Sequence, residues 1–233
     1  MSQPPPKDGP TPDACDRIII VGAGGFGREV LQWARQAWPA HAAKIAGFLS
    51  DDPHAIDGHR PTLPILGSPD SFEPRPHDGF ILAIGIRGVR REVAERLAAR
   101  GARFLTVIHP TAIVADTAVI GSGSVICPYA VVSDAARLGR CVLVNYHASL
   151  GHDAAAGDFA VLSPYATLGG QAEVQSGAFM AIRATVGPRV TVGADTVIAA
   201  NSCALGDVPA GKLVYGVPGR VVAHLVPQTL VTR

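Results

Sequence analysis

From Ile108 onward, an aliphatic or alanine side chain recurs at every sixth position without a break in phase. The column reads Ile108, Val114, Ile120, Ile126, Val132, Leu138, Val144, Leu150, Ala156, Leu162, Leu168, Val174, Met180, Val186, Val192, Ile198 and Ala204. Four residues after each, the side chain is small or compact, as at Ala112, Ser124, Ala136, Ala148 and Ala166. Glycine often follows the aliphatic directly, as at Gly121, Gly139, Gly151 and Gly169. A helix repeats its apolar face every 3.6 residues and a strand every two, so neither accounts for a period of six. Fixed aliphatic and small columns at that period mark a hexapeptide parallel β-helix. Each hexad is a short strand and a bend, and three hexads close one triangular coil. The seventeen hexads counted above then give between five and six coils. The aliphatics fill the prism, and the small column sits at the corners, where bulk would clash.

The first part of the chain follows a different pattern. RIIIV (17–21) is a short β-branched run ending at Gly22, as expected of a buried parallel strand. The following stretch carries Val30, Leu31, Ala34 and Trp38 at helical spacing. Further strands are expected at 45–52 and 79–85, a helix from Val89 to Arg100, and a last strand, FLTVI, over 104–108. This alternation predicts a small Rossmann-like α/β domain over 17–107. A parallel β-helix is expected over 108–222, with a disordered tail over 1–16 and a C-terminal tail over 223–233.

Composition fits this division. Hydrophobic residues make up 48% of the 233, yet only 6% are aromatic and 17% charged. The shortage of charge is local: residues 108–205 hold ten Asp, Glu, Lys or Arg. The apolar content excludes a disordered chain. The net charge of +1 gives no basic surface for nucleic acid or for membrane docking, and no apolar run is long enough to span a bilayer. Cys15, Cys127, Cys141 and Cys203 are scattered without a CxxC pair, so neither a disulfide framework nor a cysteine zinc site is expected. A reduced, cytoplasmic protein without membrane insertion follows.

Two places carry candidate chemistry. His152 stands two residues after Leu150, in a column that points out of the prism, and Asp153 follows it. An imidazole is suited to be a general base that takes a proton from an attacking nucleophile, and a neighbouring acid can orient it. The second place is GAGGFG, Gly22 to Gly27, between a strand and a helix, with Asp51 and Asp52 about two dozen residues later. The pattern also occurs in NAD(P) dehydrogenases, but one βαβ unit followed by a solenoid leaves no second nucleotide-binding half.

The hexads, the closing segment DVPAGKLVYGVPGRVV (207–222), VGAGGFGREVL (21–31) and IHPTAIV (108–114) together resemble the hexapeptide-repeat acyltransferases. Within that family the chain resembles the branch of sialic-acid O-acetyltransferase-like proteins and nucleotide-aminosugar N-acetyltransferases. The resemblance implies a left-handed β-helix homotrimer that uses acetyl-CoA as cosubstrate, with no metal. It implies that His152 is the catalytic base and Asp153 its partner, that Gly170 offers a backbone N–H to the thioester carbonyl, and that Ile182 touches the CoA arm. Relatives often carry a second histidine on acetyl-CoA where this chain has Val161. Asn145 matches a polar contact to the acceptor. Gly22, Gly24, Gly25, Phe26, Gly27, Asp51, Asp52 and Gly85 match the seat of a nucleotide-sugar, with Arg87 as a further phosphate contact. Where this chain has Phe26, relatives often have a histidine that contacts the sugar nucleotide. Amine and hydroxyl acceptors both remain open at this point. His147 and His152 also have the spacing of γ-class carbonic anhydrases, but the place of a third ligand holds Thr111, which falls short of a zinc site.

Overall fold

The computed structural model describes residues 9–60 and 63–223. The N-terminal domain is one parallel sheet in the order β3-β2-β1-β4-β5, with β1 at Arg17–Val21, β2 at Ile45–Leu49, β3 at Ile65–Gly67, β4 at Asp78–Leu82 and β5 at Arg103–Phe104. Helices α1 (Gly25–Ala37) and α2 (Arg87–Ala99) cover it. The central strands are buried on both faces, with Ile18 to Val21 and Phe80 to Leu82 at 0% exposure. That explains their unbroken apolar runs. Strand β3 was not foreseen, because three residues between Pro64 and Ser68 carry too little pattern. The chain leaves β1, adds β2 and β3 on one side, then crosses back to place β4 on the other. The C-terminal ends of β1 and β4 therefore flank the topological switch point, where open α/β sheets bind ligands.

The disordered tail expected over 1–16 is corrected over its described part. Pro12–Ala14 forms a 3-10 turn, the Asp16 amide donates to the His77 carbonyl at 2.9 Å, and Cys15 is buried. The cause is a steric fit: a Cβ on Gly79 would stand 2.6 Å from the Cys15 sulfur, so that glycine leaves the space Cys15 fills. Residues 1–8, and the expected C-terminal tail from 224 onward, lie outside the described residues.

Seventeen two-residue strands, β6 (Val107–Ile108) to β22 (Cys203–Ala204), build the solenoid in three parallel sheets. Strands three apart pair in exact eighteen-residue register, as Leu143–Val144 does with Val161–Leu162. The first face contains β6, β9, β12, β15, β18 and β21 and is closed by the hairpin β23 (Lys212–Tyr215) and β24 (Arg220–Ala223). The second face runs from β7 to β22 and the third from β8 to β20. The aliphatic column points inward: Val132, Val144, Leu150, Leu162 and Met180 are fully buried. Each such side chain contributes about 1.5–3 kcal/mol.

The corners obey a second period of six. Twelve non-glycine residues, among them Tyr129, His147, Asp153, Tyr165 and Gln171, adopt left-handed backbone with φ between 54° and 61°. That conformation costs about 1–2 kcal/mol per residue. It is offset because the amide it turns inward bonds the previous coil: His147 to Pro128, Asp153 to Asp134 and Gln171 to His152, at 2.8–3.2 Å.

The N-terminal domain docks on the first face. Val107, Val125, Leu143 and Val161 point outward from that sheet and join Val30, Leu31, Ala34 and Leu105 in one buried cluster. The expected strand 104–108 divides accordingly. Phe104 ends the α/β sheet, Val107 begins the first coil, and only Leu105 and Thr106 separate them. At the corner between the first and second faces, the His109 ring bridges Gln36 of α1 at 2.7 Å and Thr111 at 2.8 Å. No helix among the described residues is long and apolar enough to cross a membrane.

Two expectations follow. Replacing Leu162 by Ala should cost about 2–5 kcal/mol in denaturant unfolding. Burial holds the His109 pKa below its usual value, so the folded state binds a proton less readily than the unfolded chain. Stability should therefore fall as pH drops below about 6.5, and His109→Asn should flatten that part of the stability–pH curve.

Candidate active site

His152 stands on the corner between the second and third faces. The chain leaves β13 (Ser149–Leu150), turns through His152 and the left-handed Asp153, and enters β14 (Ala155–Ala156). With Leu150 committed to the interior, the residue two positions on is carried outside the prism. Its Nδ1 lies 2.9 Å from the Asp153 carboxylate, and the two side chains are 65% and 49% exposed. When Nδ1–H donates to Asp153, Nε2 keeps a free lone pair. The backbone holds both residues in place: the Asp153 amide donates to Asp134, and the His152 carbonyl accepts from Gln171.

Eighteen residues further on, Gly170 occupies the same column one coil higher. A Cβ there would stand 2.4 Å from His152 Nε2 and 2.8 Å from Cε1, so the imidazole lies directly against the glycine. Among the described residues the Gly170 amide has no backbone acceptor, while the amides on either side bond Val186 and His152. A basic nitrogen and an uncommitted N–H thus share one exposed corner. Chemically the pair can accept a proton from a nucleophile and support negative charge on a nearby oxygen.

The second group of sequence-derived residues gathers on the C-terminal rim of the α/β sheet. Gly22 to Gly27 follow β1, Asp51 and Asp52 follow β2, and Gly85 follows β4. Their glycines divide by cause. Gly22 has φ 107°, and a Cβ would strike the Ala83 carbonyl at 2.7 Å; on Gly27 it would strike the Gly22 carbonyl at 2.0 Å. Both are required by packing. On Gly24, Gly85 and nearly so on Gly25, a Cβ would meet open space, without a left-handed φ to demand glycine. These three bare the backbone on the rim, beside the N-terminus of α1, an arrangement suited to close approach by an anion. Asp51 and Asp52 are exposed and bonded locally, Asp51 by Ser68 and Asp52 by the His54 amide. Phe26 turns its ring toward the interdomain cluster, edge-on to Trp33 at 6.0 Å.

Other expectations are placed differently. Val161 is 2% exposed beneath the N-terminal domain, so as a cofactor contact it is corrected: its outward column is the docking face. Arg87 donates to the Asp195 carbonyl of the solenoid at 2.7 Å, which ties α2 to the coils. Asn145 and Ile182 lie on the corner between the first and second faces, across the second face from His152. Asn145 is half-buried with its Oδ1 accepting from the Tyr146 amide, whereas Ile182 is 53% exposed. The rim belongs to the domain on the first face, and His152 stands on the opposite corner. Sequence reasoning missed the packing of His147, whose ring stacks between Tyr129 and Tyr165 at 5.1 and 4.8 Å, with Arg183 over Tyr165. The signal was present, since 129, 147 and 165 are eighteen apart.

Comparison with known proteins supports the two-part fold. Residues 17–97 match the family model of the PglD N-terminal domain. Over 112 residues the chain is 35% identical to UDP-N-acetylbacillosamine N-acetyltransferase of Bacillus subtilis (strain 168), an alignment covering 47% of this chain and 50% of that protein. The match thus spans about half the length of this curated relative. Among solved structures, the acetyltransferase domain of PglB from Neisseria gonorrhoeae FA1090, in complex with acetyl coenzyme A, is 29% identical with a TM-score of 0.80, covering 89% of this chain and 100% of that one. WeeI from Acinetobacter baumannii AYE is 26% identical with a TM-score of 0.79, covering 88% and 99%. A perosamine N-acetyltransferase mutant from Caulobacter crescentus, with CoA and GDP-perosamine, shares the fold at 24% identity and a TM-score of 0.78, covering 89% and 97%. Together with the Rossmann-like domain and the solenoid, these likenesses fit a hexapeptide-repeat acetyltransferase.

Gly170→Ala should leave stability within about 1 kcal/mol, because the clash falls on the end of a movable side chain. It should displace the His152 ring, read as a shift of its imidazole resonances. Unshifted resonances would show that the ring does not rest on Gly170.

Proposed function

We propose that the chain is an acetyl-CoA-dependent acetyltransferase acting on the amino group of a nucleotide-linked aminosugar, as a cytoplasmic homotrimer. The observation that carries this reading is His152, with Nδ1 on Asp153 and Nε2 against Gly170. His152 takes the proton from the acceptor's amine as the nitrogen attacks the thioester carbonyl. The Gly170 N–H supports the charge on the carbonyl oxygen, the C–S bond breaks, and the CoA thiolate recovers a proton from the imidazolium. The group passes directly, without an acyl-enzyme. Asp153 fixes the ring and stabilises its charged form. The amine is preferred over a hydroxyl because the curated relative is an N-acetyltransferase. The nucleotide end sits at Gly24, Gly25 and Gly85, with its phosphates on bare backbone. The four free thiols suit a reducing compartment.

The placement of rim and base on opposite sides of one prism supports the trimer. A cyclic assembly is head-to-tail and has no translation along its axis, so residues of one coil meet at one level. It would set the corner that carries Asn145 and Ile182 against the His152 corner of the next copy. Acetyl-CoA then lies between adjacent prisms, in reach of Ile182 from one and Gly170 from the other.

His152→Ala should abolish acetyl transfer while the assembly persists; turnover near the wild-type rate would overturn the mechanism. Gly24→Val should fold, since the position is open, and fail on the acceptor. If each site takes its rim and base from different copies, trimers reassembled at random from equal amounts of the two variants should regain about one quarter of wild-type activity. Mixtures as inactive as their parents would place rim and base in one chain.

A further inference from the structure

Arg90 is the largest side chain with no solvent exposure among the described residues. It sits one turn into α2, on the side facing the coils, and each of its guanidinium nitrogens donates to a backbone carbonyl. Nη1 reaches Leu82 at 2.9 Å and Ile84 at 3.1 Å, at the end of β4. Nε and Nη2 reach Cys141 at 3.3 and 3.1 Å, at a coil corner. No carboxylate pairs with it among the described residues. Burial pushes its pKa down to about 10, so it remains charged at neutral pH.

A buried charge without a counter-ion is costly, and a domain interface of this kind could be closed by apolar side chains, as the Val125 and Leu143 column shows. What a guanidinium adds is a rigid planar fork able to hold carbonyls on two sides at once. Here one side is the segment 82–84, which leads directly to Gly85. That segment also meets the glycine loop: the Ala83 amide donates to Val21, and the Ala83 carbonyl lies against Gly22. The other side is the solenoid itself.

We propose that Arg90 is a positioning residue for the acceptor, setting the rim that carries Gly85 at a fixed place over the coils and against the glycine loop. The proposal rests on the acetyltransferase reading, since it takes the rim as the acceptor's seat. Neighbouring Arg91 serves as the contrast. It also ties α2 to the coils, through Asp195 at 3.1 Å, but it is partly exposed and touches no rim carbonyl.

The test compares wild type, Arg90→Lys and Arg91→Ala as full-length protein, by amide hydrogen exchange and by steady-state kinetics with each substrate varied. Lysine keeps the charge but lacks the fork; Arg90→Gln replaces it should the lysine variant not fold. In the Arg90 variant, exchange over 83–86 and at Val142 should quicken about tenfold or more while the distant coils stay unchanged. The acceptor KM should rise about tenfold, with the acetyl-CoA KM within about twofold of wild type. Arg91→Ala should leave the acceptor KM unchanged. Wild-type exchange at the rim, an unchanged acceptor KM, or equal rises for both substrates would each overturn the proposal. So would an Arg91→Ala effect as large as that of Arg90→Lys, which would trace the effect to docking in general. Absence of transfer by the wild-type protein counts against the acetyltransferase reading instead, and exchange still decides whether Arg90 holds the rim.

Discussion

The left-handed residue at every sixth position is the constraint on which the rest depends. It turns the chain at each corner, and the amide it aims at the coil below locks the eighteen-residue register. Once that register is fixed, residues eighteen apart stack in columns, and local sequence becomes three-dimensional position. Asp153 illustrates the economy of the device. The same left-handed turn that bonds its amide to Asp134 sets its carboxylate beside the His152 ring. The strain of the turn is repaid by an inter-coil hydrogen bond, and the His152–Asp153 pair is placed without extra structure.

The second determinant is the choice of docking face. The first face carries an outward column of Val107, Val125, Leu143 and Val161, which is apolar enough to be covered. Covering it commits the N-terminal domain to one side of the prism and leaves the His152 corner open on the other. Arg87, Arg90 and Arg91 reinforce the commitment from α2, and Gln36 with His109 from α1. In a solenoid of so few charged residues these polar contacts are concentrated where orientation matters, along the seam between the domains.

Much of this was legible before any coordinates. The period of six gave the solenoid, and the strand–glycine–helix pattern gave the rim, because both are local and repetitive. His152 and Gly170 share a column by arithmetic alone, being eighteen apart. The same arithmetic puts Val161 in the column of Val107, but only the structure shows that this face is covered, so Val161 could not be recognised as core. Arg90 left no sequence signal. Its partners are carbonyls, which every residue has, and they come from segments nearly sixty residues apart. The ordered stretch around Cys15 was missed for a similar reason, since a proline-rich segment reads as a tail until Gly79 is seen to make room for it.

The central claim is that one reaction centre forms where the His152 corner of one copy meets the rim of another. A crystal structure with CoA and a nucleotide-linked aminosugar bound together tests it most directly. The account expects the acceptor nitrogen within about 3.2 Å of His152 Nε2, the CoA sulfur beside Gly170, and the nucleotide on Gly24 and Gly85 of the adjacent copy. An acceptor amine far from His152, or both ligands held along a single chain, would contradict it.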